Sequence, residues 1–324
     1  MFSLDEIRRA HDLVLGALRP TPALSWPLLE RRLGAEVAVK HENHLPTGAF
    51  KVRGGLTYVD ALIRREPGTR GLISATRGNH GASLAFAARR AGLEATIVVP
   101  HGNSSEKNAA MRALGADLVE FGRDFQAARE EAVRLADSRG LHMVPSFHRD
   151  LALGVSTYAL ELLSERSDLD VLYVPIGQGS GICGCISARD ALGLKTEIVG
   201  VQSTEAPAYA LSFAARRVAP TDSADTLADG MATRVPDEEA LEVILKGVGR
   251  VTLVSDDEIA AAIRAYWTDA HNLAEGAGAA ALAAAMKERL RLKGRKVGLV
   301  LSGGNIDFDL FRRWVMAVPS AAAA

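Results

Sequence analysis

The chain has 324 residues, 48% hydrophobic and 24% charged, with a formal net charge of −1. That is ample for a large core spread over two lobes, and so even a charge balance argues against nucleic acid or an anionic membrane as partner. Two cysteines, Cys183 and Cys185, are too few for a disulfide framework. No basic stretch followed by an apolar core opens the chain, and the apolar runs break well short of membrane-spanning length, so the cytoplasm is the expected compartment.

In chain order, Ser3-x-x-Glu6 reads as a capping box opening a first helix. Val37-Ala38-Val39-Lys40 reads as a strand, followed by the turn Pro46-Thr47-Gly48-Ala49-Phe50-Lys51-Val52-Arg53-Gly54-Gly55. This turn places Lys51 where a helix begins. A lysine amine attacks carbonyls only when a protected site lowers its pKa, and most lysines are simply solvated. Strand 71–73 runs into Ser74-Ala75-Thr76-Arg77-Gly78-Asn79-His80-Gly81 and an Ala-rich helix, whose first amides suit an anion. The spacing then predicts a strand at 95–100, a helix at 105–114, a strand at 116–120 and a charged amphipathic helix at 124–138, with His142-Met143-Val144 leading into the return crossover.

The run Val171-Leu172-Tyr173-Val174-Pro175-Ile176 is a buried strand leading into Gly177-Gln178-Gly179-Ser180-Gly181-Ile182-Cys183-Gly184. Glycines there let backbone amides approach a phosphate closely. The two cysteines read as small residues packing this helix start, since no histidine nearby completes a metal site. The alanine-rich stretch 273–292 suits close helix-on-sheet packing, and strand 297–300 ends in Leu301-Ser302-Gly303-Gly304-Asn305. The tail Ser320-Ala321-Ala322-Ala323-Ala324 is expected to fray. Strands alternating with helices predict a mostly parallel α/β architecture covered on both faces, and all these loops lie at carboxyl ends of strands, where such sheets bind ligands.

Four of these segments, in this order, make the chain resemble the fold-type II pyridoxal-phosphate enzymes, specifically the threonine/serine dehydratase and serine racemase group. The resemblance runs from Thr21-Pro22-Ala23-Leu24 to Asn305-Ile306-Asp307. It implies a two-lobed, tryptophan synthase β-like fold, with 1–70 and 148–324 forming the large cofactor domain and 71–147 a small inserted one. It also implies Lys51 as the Schiff-base lysine, Asn79 at the cofactor's phenolic oxygen, and a phosphate loop of Gly177, Gln178, Gly179, Ser180 and Gly181. Ser302 would face the pyridine nitrogen, with Glu275 beside the ring. Thr76, Arg77, Gly78 and His80 would line the substrate carboxylate, His80 through its backbone, and Asp229-Gly230 would line the cleft. Homodimers are usual in this group.

An alcohol at the pyridine nitrogen cannot hold a proton there, which favours loss of a β-substituent over racemisation. The implied activity is α,β-elimination from a 3-hydroxy amino acid, L-threonine or L-serine first, giving a 2-oxo acid and ammonia. A bulkier or acidic substrate, phenylserine or 3-hydroxyaspartate, is the alternative. Departures narrow this reading. Arg77 stands where serine racemase has its second base, and a guanidinium is a poor base; it either pairs with a carboxylate or points to solvent. The group's divalent-metal positions read Gln202, Ala206 and Ala208, so no metal is expected. His41, His44, His101, His142, His148 and His271 show no ligand spacing. Little chain follows Ser302, which points to a catabolic or specialised member without a C-terminal regulatory module. One reading from a different class remains. Gly179-Ser180-Gly181-Ile182-Cys183-Gly184 matches G-x-G-x-x-G, with Glu197 near the position of a ribose-binding acid, as in a nicotinamide-dependent oxidoreductase.

Overall fold

A computed structural model describes residues 1–316; the expectation for the alanine tail at 320–324 lies outside them. Among the described residues are ten strands: β1 (Ala23–Leu24), β2 (Glu36–His41), β3 (Gly71–Ala75), β4 (Glu94–Val99), β5 (Asp117–Glu120), β6 (His142–Met143), β7 (Val171–Pro175), β8 (Glu197–Ser203), β9 (Arg250–Val254) and β10 (Lys296–Leu301). They form a six-stranded sheet in the order β1-β2-β10-β7-β8-β9 and a four-stranded sheet in the order β5-β4-β3-β6. Every pairing is parallel except β1 with β2.

The two-residue period of a strand explains why both faces are covered. In the large sheet, Val37, Val39, Tyr173, Val199, Leu299 and Leu301 face one apolar cluster, with the helices Gly276–Lys287, Asp256–Ala270 and Pro27–Leu33. The intervening Ala38, Leu172, Val174, Ile198 and Val300 face another, with the helices Arg149–Glu165, Ser180–Ala191 and Glu238–Gly247. The small sheet repeats the pattern. Leu72, Ala95, Ile97 and Val99 pack with the helices Lys51–Arg65 and Asn79–Ala91, whereas Ile73, Ala75 and Val98 pack with Phe125–Arg139.

Local signals set the helix ends. Ser3 and Glu6 form the expected capping box, Asp124 caps Phe125–Arg139, and Ser104 caps Ser105–Ala113. The alanine-rich stretch is one helix to Lys287 and a short turn, Arg289–Leu292, beyond it. Residues 276–285 are all buried, because only small side chains let a helix lie this close to a sheet.

Candidate active site

Two loops at neighbouring strand ends of the large sheet are stitched together by their backbones. The loop after β2 carries residues 47–50 and the loop after β10 carries residues 302–305. Phe50 N–H donates to the Ser302 carbonyl at 3.0 Å, Gly304 N–H to the Gly48 carbonyl at 2.9 Å, and Glu275 N–H to the Gly303 carbonyl at 3.1 Å. Gly48 adopts φ +69°, and a Cβ there would stand 2.8 Å from Asn305 Cγ. Glycine is therefore required both for the turn and for the approach. This stitching brings the start of the Lys51 helix beside Ser302 and Glu275.

The helix Lys51–Arg65 is seated on buried charge. Arg53, fully buried, donates from Nε to Glu42 Oε2 at 2.8 Å and from Nη2 to Glu42 Oε1 at 3.0 Å. It also donates to Glu161 Oε1 at 2.7 Å, Glu161 Oε2 at 3.0 Å and Thr157 Oγ1 at 3.1 Å. Lys40 completes the set with a 2.5 Å contact to Glu161, and Thr21 donates to Glu42 at 2.6 Å. Two cations thus face two carboxylates, the balance that buried charge demands. Backbone contact fixes the seat further, since a Cβ on Gly54 would lie 2.6 Å from the Leu151 carbonyl oxygen.

Lys51, one residue past the turn, sits in a site that lowers its pKa to about 8; burial drives the shift and the Glu275 carboxylate opposes it. His80 is lowered to about 3, by burial and then by the Lys51 charge, and its Nε2 is buried without a partner. His80 is therefore neutral and available as a hydrogen-bonding group, which goes beyond the backbone role expected of it. Glu275, buried, has its pKa raised, first by burial; Lys107 and Asn79 oppose this, whereas Asp229 adds to it. Asn79 Nδ2 donates to Glu275 Oε1 at 2.7 Å, while Glu275 Oε2 has no partner. Asn305 donates to Asn79 Oδ1 at 2.8 Å. In the sequence Asn305 stands out only as the end of a motif, because its partner lies 226 positions away.

The glycine loop follows β7. Gly179, at φ +103°, caps the helix Ser180–Ala191 and leaves its first amides free. Tyr209 fixes the loop by donating to the Gln178 carbonyl at 3.0 Å. A Cβ on Gly177 would collide with the Gly230 carbonyl oxygen, which brings the Asp229–Gly230 turn over the loop. Cys183 and Cys185 are buried in this helix and burial pushes both thiols up, the first out of the reactive range and the second to about 12.

The turn at 76–80 divides. Thr76 and Gly78 are buried, and Gly78 N–H donates to Thr76 Oγ1 at 3.2 Å. Arg77 is exposed and makes no hydrogen bond or ion pair among the described residues. A further cation, Lys107, packs against this turn at Gly78, and sequence reasoning missed it. Its Cδ would stand 2.8 Å from a Cβ on Gly78. It is ion-paired with Asp229, and burial is outweighed by the Asp229, Glu275 and Asp307 carboxylates, which hold it above the ordinary lysine range.

Glu197 overturns the dinucleotide reading. It opens β8, opposite Val171 at the start of β7, and pairs with Arg250 and Arg295. It therefore lies at the amino ends of the strands, the end of the sheet opposite the glycine loop, where it cannot reach a ligand held there. At the positions read for a metal, Gln202 is buried, with Oε1 accepting from Ala210 N–H at 2.9 Å and Nε2 unpartnered, and the buried Ala206 and Ala208 have no donor atom in their side chains. Among the described residues no group of three or more His, Cys, Asp or Glu side chains could hold a metal ion.

These residues fit pyridoxal phosphate. A lysine amine with a lowered pKa suits its aldehyde, a glycine-lined helix start its phosphate, and a buried alcohol at Ser302 its ring nitrogen. The partnerless Glu275 oxygen and the Asn79 amide complete the polar lining.

The family model described as pyridoxal-phosphate dependent enzyme matches residues 14–303. An L-threonine ammonia-lyase of Thermotoga maritima is 33% identical, with 97% of this chain and 78% of that protein aligned. An L-threo-3-hydroxyaspartate ammonia-lyase of Saccharomyces cerevisiae is 32% identical over 94% of each. Among solved structures, the processed form of threonine deaminase isoform 2 from Solanum lycopersicum superposes with a TM-score of 0.89 at 28% identity, covering 97% of this chain and 94% of that one. The fold agrees with these matches, and the chain belongs to the pyridoxal-phosphate-dependent enzymes.

Proposed function

We propose that the protein eliminates water from a 3-hydroxy amino acid and releases a 2-oxo acid and ammonia, with L-threonine and L-serine as first substrates. The observation that carries this is Lys51, its pKa lowered to about 8, gathered with Ser302, Glu275 and Asn79 beside a glycine-capped helix start. Relatives named as ammonia-lyases along nearly the whole chain support it.

Pyridoxal phosphate, when bound, withdraws electrons from Cα and so acidifies its proton. Lys51 would hold the cofactor at rest and, as the free amine, would take that proton; an amine with a pKa near 8 does so readily near neutrality. Ser302 would donate a hydrogen bond to the ring nitrogen and could not hold a proton there, which would limit charge on Cα and favour loss of the β-hydroxyl. Gly177, Gln178, Gly179, Ser180 and Gly181 hold the phosphate on the amides of the helix start. Thr76, Gly78 and the His80 backbone receive the substrate carboxylate. Arg77, exposed, is not placed to serve as a second base at Cα.

The second reading, an acidic substrate such as 3-hydroxyaspartate, is favoured by Lys107, an ammonium beside Gly78. We also propose the division into 1–70 with 148–324 and 71–147, a homodimer and a cytoplasmic location. The helix Lys51–Arg65 shares its apolar cluster with the small sheet and so couples the two units.

A 2-oxo acid release assay over serine, threonine, phenylserine and 3-hydroxyaspartate tests the activity. Lys51→Ala is expected to abolish both turnover and the visible absorbance of bound cofactor while leaving the fold intact. Cofactor still trapped by borohydride in that variant would move its attachment elsewhere.

A further inference from the structure

Three side chains form a directed chain of hydrogen bonds along the site. Asn305 Nδ2 donates to the Thr47 backbone carbonyl at 2.8 Å and to Asn79 Oδ1 at 2.8 Å. Asn79 Nδ2 then donates to Glu275 Oε1 at 2.7 Å. An amide side chain has an accepting end and a donating end, and only its partners decide which way it faces. A backbone carbonyl can only accept. Thr47 therefore fixes the NH₂ of Asn305, and that NH₂ leaves Asn79 no option but to turn its oxygen toward Asn305. Gly48, without a side chain, lets the loop lie against the Asn305 amide, where any Cβ would collide.

We propose that Asn305 is a positioning residue that sets the polarity of the Asn79 amide. One Asn79 N–H is thereby committed to Glu275, and the other is offered to the phenolic oxygen of the cofactor. This rests on the cofactor reading above but not on the choice of substrate. The charged groups facing Glu275 are Lys51, Lys107 and Asp229.

Asn305→Asp tests the polarity in the holoenzyme. A carboxylate at 305 has no hydrogen for Thr47 and can only accept from Asn79. Asn79 then turns over, withdraws its N–H from the cofactor oxygen, and points its own oxygen at Glu275. The midpoint of the pH titration of the cofactor's visible absorbance should rise by about one unit, the worth of one hydrogen bond. An oxygen that loses its donor holds a proton more tightly. The melting midpoint should fall as well. Adding Glu275→Gln supplies an N–H for the turned amide. The double variant should therefore recover most of the lost melting midpoint while the absorbance midpoint stays displaced.

An unmoved absorbance midpoint in Asn305→Asp overturns the proposal, as does a double variant less stable than Asn305→Asp. If Asn305→Asp does not fold, Asn305→Ala is titrated instead. It frees the Asn79 amide without adding charge, and an unchanged midpoint there is equally fatal. Wild-type protein that releases no 2-oxo acid yet shows the displaced midpoint in the variant would sink the activity and leave the positioning role standing.

Discussion

Replacing Arg53 with methionine keeps a long side chain on the helix Lys51–Arg65 but removes five hydrogen bonds and one of two buried cations. Lys40 still faces Glu161 at 2.5 Å, which leaves Glu42, fully buried, with the Thr21 hydroxyl in place of a cation. Breaking a buried pair from one side costs about 3–5 kcal/mol, because the partner keeps its charge and loses its compensation. At about 2 °C per kcal/mol for a chain of this size, the melting midpoint should drop by about 6–10 °C. Arg53→Met/Glu42→Gln should recover much of that loss, since Lys40 and Glu161 then remain as a balanced pair. The pH dependence has a definite sign. Burial alone would raise the pKa of Glu161, but hydrogen bonds from His11 and Arg53 and the charges of Arg53 and Lys40 hold it below its ordinary 4.5. A depressed carboxylate contributes stability above that value and loses it as the pH falls through the folded pKa. The gap between wild type and Arg53→Met should therefore narrow in acid. Denaturant melts at several pH values decide the matter. A loss below about 1 kcal/mol for Arg53→Met, or a double variant worse than the single one, would refute the charge-balance reasoning.

Lys107→Met should lower kcat/KM by about tenfold or more, the worth of a charge-assisted hydrogen bond, with the largest loss on an acidic substrate. Arg77→Ala should change it by no more than about twofold, as an exposed side chain away from special features does; steady-state kinetics on both variants would expose an inverted assignment. Exhaustive chelation should alter neither activity nor melting midpoint, and a loss restored specifically by Mg²⁺ or Ca²⁺ would show that Gln202 does not stand in for a metal-binding carboxylate. Gly177→Ala sets a methyl group against the Gly230 carbonyl oxygen and should weaken cofactor retention; full visible absorbance after dialysis would contradict this.

The motifs were legible because each is local. A turn that needs glycine at 48, a capped helix at Ser180 and a buried strand before each loop all announce themselves within a dozen residues. The strands at 94–99, 117–120 and 171–175 lie within a residue or two of their expected places for the same reason. What stayed hidden depends on partners distant in sequence. Nothing near Arg53 betrays Glu161, 108 positions away, and nothing near Gly78 betrays the stem of Lys107. Arg77 misled in the opposite sense: its neighbours Thr76 and Gly78 are buried, but a side chain beginning a turn is free to leave it. Glu197 matched by spacing alone, and spacing does not say at which end of a strand a residue falls.

The order of strands in the large sheet has a consequence for synthesis. β10 lies between β2 and β7, so the sheet stays split in two until residues 296–301 have emerged. At ribosomal rates of about 5–20 residues per second, β2 waits roughly 10–50 s for its parallel neighbour, with an open edge that invites mispairing. The four strands of the small sheet are consecutive in the chain and need not wait. A nascent chain should therefore carry a finished small sheet and an unfinished large one for roughly half of its time on the ribosome. Ser302 and Asn305 follow the last strand. Capture of the cofactor thus becomes a late event in the life of the polypeptide.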